Sequence, residues 1–193
     1  MTDPYCWPGS DCPRNKLNIR DKERLASAEA RIVSIRDVEL ARETLPGEYN
    51  LEHLKAFHRK LFQDVYEGAG ETRTVDISRP GARFSHWRYV DDEVSAVLHE
   101  LTANDGLLIG YTRRMFVARL AYYYGEINAR HAFREGNGRT QRAFLRQLSA
   151  SAGWHVDWSG IDPQTNEAAC RENLLRTTMD QLEEMLDLVV SRI

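Results

Sequence analysis

Apolar residues recur along most of this chain at steps of three and four, the spacing of one face of an α-helix. From Asp21 to about Arg42 the stripe is Leu25, Ala28, Ile32, Ile35 and Val38, and Pro46 and Gly47 close it. From about Leu51 to Val65 it is Leu54, Phe57, Leu61 and Phe62, with Gly68 and Gly70 punctuating the end. The same period predicts helices at about Asp91–Asn104, Thr112–Arg130 and Arg139–Ala152, and from Pro163 to the C-terminus. In the 112–130 segment Phe116, Leu120, Tyr123 and Ile127 share one stripe, widened by Val117, Ala121 and Tyr124, so this helix is expected to be buried and central.

One stretch breaks the period. In TRTVDISRPGARFSHWRYV, residues 72–90, β-branched and aromatic side chains flank Pro80 and Gly81, the chemistry of a tight turn, and a β-hairpin is predicted there. Residues 1–15 are rich in Pro, Gly, Asp and Cys and are expected to form an irregular lead-in that packs on the domain or stays loose. The expected fold is mainly α with one hairpin, as a single domain over 1–193, without solenoid repeats or low-complexity tracts.

Composition narrows the function classes. At 42% hydrophobic and 28% charged residues the chain should fold rather than remain disordered. A formal net charge of −3 does not point to nucleic acid or a membrane surface as partner. Cys6, Cys12 and Cys170 form no CxxC pair, no membrane-length apolar run occurs, and no basic start precedes an apolar stretch. The expectation is a cytoplasmic protein without redox cysteines. His53, His58, His99 and His155 lack metal-ligand spacing and are assigned to the scaffold.

Candidate chemistry concentrates in HAFREGNGRTQR, residues 131–142. Gly136, Asn137 and Gly138 tolerate the backbone curl that lets successive N–H groups converge on an anion, and a helix opening at Arg139 would add its unpaired N–H groups and positive dipole end. Arg139 and Arg142 lie three apart on that helix, each with a planar donor fork suited to phosphate. Glu135 at the lip would repel phosphate unless a cation such as Mg²⁺ lay between them, and His131 titrates near neutrality and is the candidate base. Phe133 is expected to anchor the loop in the core. Residue chemistry alone leaves other readings open: an ordinary loop, a nucleic-acid-binding module using Arg134, Arg139, Arg142 and Arg146, or a nucleotide-binding regulator without catalysis.

The segment resembles the signature of the Fic family, His-x-Phe-x-(Asp/Glu)-Gly-Asn-Gly-Arg-x-x-Arg, met at His131, Phe133, Glu135, Gly136, Asn137, Gly138, Arg139 and Arg142; Ala132 stands where the commonest members have proline. RNKLNIRD at 14–21, an LHKxLF-like stretch at 54–62, GAGETRTVDIS at 68–78 and GWHVDW at 153–158 are similar to small bacterial Fic proteins. The resemblance implies a Fic-type helical bundle whose hairpin is the flap, and transfer of AMP from ATP to a protein hydroxyl. In its terms His131 is the general base and Glu135 the Mg²⁺ ligand. Asn137 and the amides of the Gly136–Gly138 nest hold the α-phosphate, and Arg139 and Arg142 the outer phosphates. Members that phosphorylate carry lysine at the position of Gly138, so this glycine implies nucleotidyl transfer.

Ile77 and Ser78 are candidates to border the adenine. Arg83, Phe84, Ser85 and His86 are the flap candidates for the target, which can add to a hairpin edge through main-chain hydrogen bonds. The family's inhibitory helix, (Ser/Thr)-x-x-x-Glu-(Gly/Asn), has no match. Its nearest relative, Thr44 to Tyr49 with Glu48, contains Pro46 and Gly47 and is expected to be a turn. That absence implies a toxin restrained in trans by a small helical antitoxin supplying the glutamate to Arg142 or Arg139, with DNA gyrase and topoisomerase IV as the expected targets.

Overall fold

The computed structural model describes residues 3–79 and 81–193. Seven α-helices carry most of the chain: α1 (Lys22–Arg42), α2 (Leu51–Phe62), α3 (Val90–His99), α4 (Arg113–Arg130), α5 (Asn137–Ser151), α6 (Pro163–Arg176) and α7 (Asp180–Asp187). Short polar side chains cap the starts of α1, α2, α4 and α6. Asp21 accepts the Arg24 N–H at 2.8 Å, Asn50 that of His53 at 2.9 Å, and Asp162 that of Thr165 at 2.9 Å with Pro163 in the first turn.

Helix α4 is the centre of the bundle, packed by α3, α5, α6 and α7. Phe116, Leu120, Tyr123 and Ile127 are buried as the stripe predicts, and so are Val117, Ala121 and Tyr124. No helix among the described residues is long and apolar enough to cross a membrane.

Two departures have clear physical causes. The hairpin is much shorter than 72–90: β1 (Ser78–Arg79) pairs antiparallel with β2 (Ala82–Arg83), Ser78 opposite Arg83 and Arg79 opposite Ala82. Of the turn, Gly81 has φ +82°, whereas Pro80 lies outside the described residues. Beyond β2 the His86 ring caps a 3₁₀ turn, Trp87–Tyr89, that feeds α3, so the aromatic cluster read as strand belongs to a helix start. The segment from Pro163 onward is also not one helix. Thr177 adopts φ +56° and ends α6; after α7 the chain forms β4 (Val190–Arg192), antiparallel to β3 (Trp154–Val156). Three-residue strands are too short for alternation to announce them, and the pairing joins segments distant in sequence.

The lead-in packs rather than hanging loose. The Trp7 indole N–H donates to the Ile19 carbonyl at 3.1 Å, and Arg134, in the HAFREGNGRTQR segment, pairs with Asp3 at 2.6 Å. Cys6, Cys12 and Cys170 are buried free thiols.

Candidate active site

The HAFREGNGRTQR segment joins α4 to α5, and both helix ends shape it. His131 leaves α4 in the left-handed region, φ 48° and ψ 62°. Its Nδ1 lies 3.2 Å from the Asn128 carbonyl, which can only accept, so the proton sits on Nδ1 and the Nε2 lone pair is free. The ring stacks on Phe84 of the flap at 3.8 Å between centroids and 15° between planes. Burial drives its pKa down to about 3, assisted by the nearby Arg79 and Arg73 charges and opposed by the Asn128 contact. The imidazole is therefore neutral at any physiological pH.

His58, buried in α2, fixes the loop from beneath. Its Nε2 donates to the Glu135 carbonyl at 3.1 Å and its Nδ1 accepts the Gly70 N–H at 2.8 Å, while its ring stacks on Phe133 at 3.9 Å. Burial lowers its pKa to about 4. For both histidines the folded state binds protons less readily than the unfolded one, so stability is complete above the ordinary histidine pKa and declines as pH falls below it. Melting temperature is expected to drop from pH 7 to pH 5; a flat profile over that range would contradict these environments.

Helix α5 begins at Asn137, two residues earlier than the expected Arg139, so the nest is not a three-residue loop. Gly136 alone takes the positive φ, +78°, and Asn137 and Gly138 already form the first helical turn. A Cβ on Gly136 would lie 2.3 Å from the Phe62 ring, so both conformation and space demand glycine there. The Thr140 N–H reaches the Gly136 carbonyl at 3.1 Å, and the N–H groups of Asn137, Gly138 and Arg139 precede the first intrahelical bond. The Asn137 side chain is turned inward, accepting the Phe133 N–H at 2.8 Å and donating to the Phe133 carbonyl at 2.7 Å. What Asn137 offers an anion is its backbone N–H.

Arg139 and Arg142 line a cleft of about 250 Å³ between α1 and α5, with Arg146 beside them and Asp37 opposite. Arg139 pairs with Glu29 of α1, and Arg146 with Asp37 at 2.9 Å. Arg142 has no carboxylate within 4 Å among the described residues. Glu135 sits on a different cavity, of about 510 Å³, with His58, Tyr66 and Arg134.

Burial raises the Glu135 carboxyl, Glu29 adds to the rise, and Arg134, Arg139 and Lys22 oppose it. One of its oxygens accepts from Arg134 at 2.6 Å, leaving the other for a cation. A desolvated, incompletely compensated carboxylate fits a hard divalent ion whose remaining ligands are phosphate and water.

Flap residues Ile77, Ser78, Arg83, Phe84 and His86 line one cavity of about 410 Å³, which brings the adenine-side and target-side candidates together. Two of them differ from expectation. Phe84 is buried and stacked on His131, so one face of its ring is covered by the imidazole and not free for a target. Ser85 is consumed by anchoring: its N–H donates to the Ala129 carbonyl at 3.1 Å, its carbonyl accepts from Arg73, and its hydroxyl bonds Glu93. Arg83 and His86 are exposed, and among the described residues β1 and β2 pair only with each other, which leaves both outer edges of the flap without a strand partner there.

Three residues that shape the site were not among the site candidates read from the sequence: Arg73 and Glu29, which were given no role, and His58, which was assigned to the scaffold and does support the loop from there. Arg73 is buried and donates to the carbonyls of His131 (2.9 Å), Val75 (2.8 Å), Arg130 (3.1 Å) and Ser85, tying the flap base to the end of α4. It and His58 fall in the 68–78 and 54–62 stretches that resemble Fic proteins, which was the available signal. Glu29 gave none, because a glutamate on an amphipathic helix reads as solvated.

Residues 48–149, more than half of the chain, match the Fic/DOC family. This chain belongs to that family. Among its relatives, the protein adenylyltransferase VbhT of Bartonella schoenbuchensis is 41% identical over 171 residues, covering 89% of this chain and 36% of that protein. The Escherichia coli protein named "Probable protein adenylyltransferase Fic" is 41% identical over 162 residues, covering 84% and 80%. This chain thus spans about a third of the first and most of the second.

In structure, the N-terminal Fic domain of a VirB-translocated Bep effector from Bartonella quintana, solved with bound ADP, aligns with TM-score 0.93 at 25% identity over 97% of this chain and 94% of that one. The BepC protein of Bartonella tribocorum, solved with bound AMPPNP, aligns with TM-score 0.91 at 24% identity, covering 98% and 97%. The mainly helical Fic fold is common to this chain and these two domains.

Proposed function

We propose that this Fic/DOC protein transfers AMP from ATP to a hydroxyl side chain of a target protein, in the cytoplasm. The observation that carries the reading is a neutral imidazole with a free Nε2, stacked under the flap and one turn of loop from the unpaired N–H groups that open α5. The target hydroxyl gives its proton to Nε2 as its oxygen bonds the α-phosphorus, and the bond from that phosphorus to the bridging oxygen breaks. Pyrophosphate leaves with the bonding pair. Amides at the α5 N-terminus hold phosphate oxygens where negative charge grows, and Arg139 and Arg142 hold the departing end. Magnesium bound at Glu135 would neutralise the triphosphate. The free flap edge receives an extended target segment, with Arg83 and His86 beside it and Ile77 and Ser78 towards the base.

Relatives at about 41% identity that bear the adenylyltransferase name support this reading, as do neighbours solved with ADP and AMPPNP. Purified protein incubated with Mg²⁺, bacterial lysate and ATP labelled on the α- or the γ-phosphate should label a protein band only from the α-label. A γ-label band, or none from either, would refute AMP transfer.

The proposal extends to a toxin restrained by a small helical antitoxin. Arg139 already has a carboxylate from its own chain, so the antitoxin's glutamate falls to Arg142, the unpaired arginine of the α1–α5 cleft. DNA gyrase and topoisomerase IV are the proposed targets, on family resemblance, and purified gyrase should take up the label. The competing nucleic-acid reading is weakened because Arg134 and Arg146 are each paired internally. A fold that binds ATP without turnover remains the third reading, and the labelling experiment separates it.

Glu135→Gln makes a two-sided prediction. A carboxyl whose folded-state pKa is raised is a burden on the folded protein when ionised at pH 7, so the amide is expected to hold or raise the melting temperature while Mg²⁺-dependent transfer is lost. A collapse in melting temperature would make Glu135 structural instead.

A further inference from the structure

Arg139 is enclosed from one side by three residues of α1 and the α2 region. Its Nη2 donates to one oxygen of Glu29, whose other oxygen accepts the Tyr66 hydroxyl, and its guanidinium lies over the Phe62 ring at 4.8 Å. Glu29 is 8% exposed, so this carboxylate is a buried partner of Arg139 and not a solvated surface charge. Burial, and Glu29 itself, raise the Tyr66 hydroxyl, which stays a proton donor. Only Nη2 is engaged among the described residues; the N–H groups on Nε and Nη1 remain for a second acceptor. The same Phe62 ring also backs Gly136, so the arginine plane and the loop beneath it share one support.

We infer that Glu29, backed by Tyr66, is a positioning residue that holds the Arg139 fork towards bound phosphate instead of competing with phosphate for it. A free arginine side chain must lose rotamer freedom before it can grip an anion. Glu29 removes that freedom in advance. The inference rests on the proposed role of Arg139 as a phosphate partner.

Label-transfer kinetics on the full chain test it. Glu29→Ala is expected to raise KM for ATP about tenfold with kcat within about twofold, and Glu29→Gln, which keeps an acceptor oxygen, should recover most of the loss. Tyr66→Phe, a milder change that should fold in any case, is expected to raise KM about threefold. In Arg139→Ala the further change Glu29→Ala should add nothing, a coupling that a purely structural role would not produce.

A lowered KM in Glu29→Ala would mean that Glu29 blocks the site, and an unchanged KM that it does not position Arg139; either overturns the inference. If Arg139→Ala itself leaves KM unchanged, the phosphate role of Arg139 fails, and the inference with it.

Discussion

His131→Ala is expected to lower AMP transfer by at least ~10²–10⁴-fold, the usual contribution of a positioned general base, while ATP binding stays within a few-fold of the native protein. The two should separate because the proposed phosphate contacts arise from α5, whereas the imidazole closes α4. The pH dependence is the sharper measurement. With a pKa near 3, His131 is already deprotonated throughout the working range, so kcat/KM should show no histidine-like inflection near pH 6.5.

Acid loss of activity should follow Glu135 instead, whose raised pKa brings protonation, and weaker magnesium binding, in above the ordinary carboxylate range. The depressed pKa also makes the imidazole a weak base in the resting state. In the proposed transfer it would accept the proton only as the new bond to phosphorus forms and the hydroxyl becomes acidic. An acid limb near pH 6.5 that disappears in His131→Ala would show the ring to be solvated and the stack on Phe84 to be absent during catalysis.

The helical frame was legible because most helices here carry both of their signals, an apolar stripe and a capping residue. Asp21, Asn50 and Thr112 stand where the stripes begin, and their helices follow one residue on. The motif was legible for a different reason: glycines, a histidine and arginines at fixed offsets specify a backbone shape before any packing is known. What escaped depends on contacts between distant segments. Strand β4 exists only because β3 is beside it, with paired residues 34 or more positions apart in the chain. Glu29 meets Arg139 only because α1 lies along α5. Phe84 was read by its position on the flap, and only the packing reveals that its ring stacks on the His131 imidazole.

Arg73 joins those two parts, and its loss should be the most damaging single change away from the motif. Its side chain is fully buried, and burial pulls its pKa below the usual arginine value, with Asp76 opposing at 3.8 Å. The cation persists because five N–H donors in a rigid fork reach four carbonyls, which also terminate α4 and start and end the flap. Arg73→Met leaves those carbonyls without a donor, and removal of one side of such a buried polar arrangement typically costs ~3–5 kcal/mol.

At roughly 2–4 °C per kcal/mol for a chain of this size, the melting temperature should fall by about 10 °C. Arg73→Lys should recover only part of it, because an ammonium on a single nitrogen cannot span acceptors spread around a planar fork. Activity should fall further than stability: below the melting temperature, the folded fraction of Arg73→Lys should still transfer AMP poorly, since the His131 and Ser85 carbonyls are no longer held in one frame. If that folded protein were fully active, the flap and the base would be positioned by something other than Arg73.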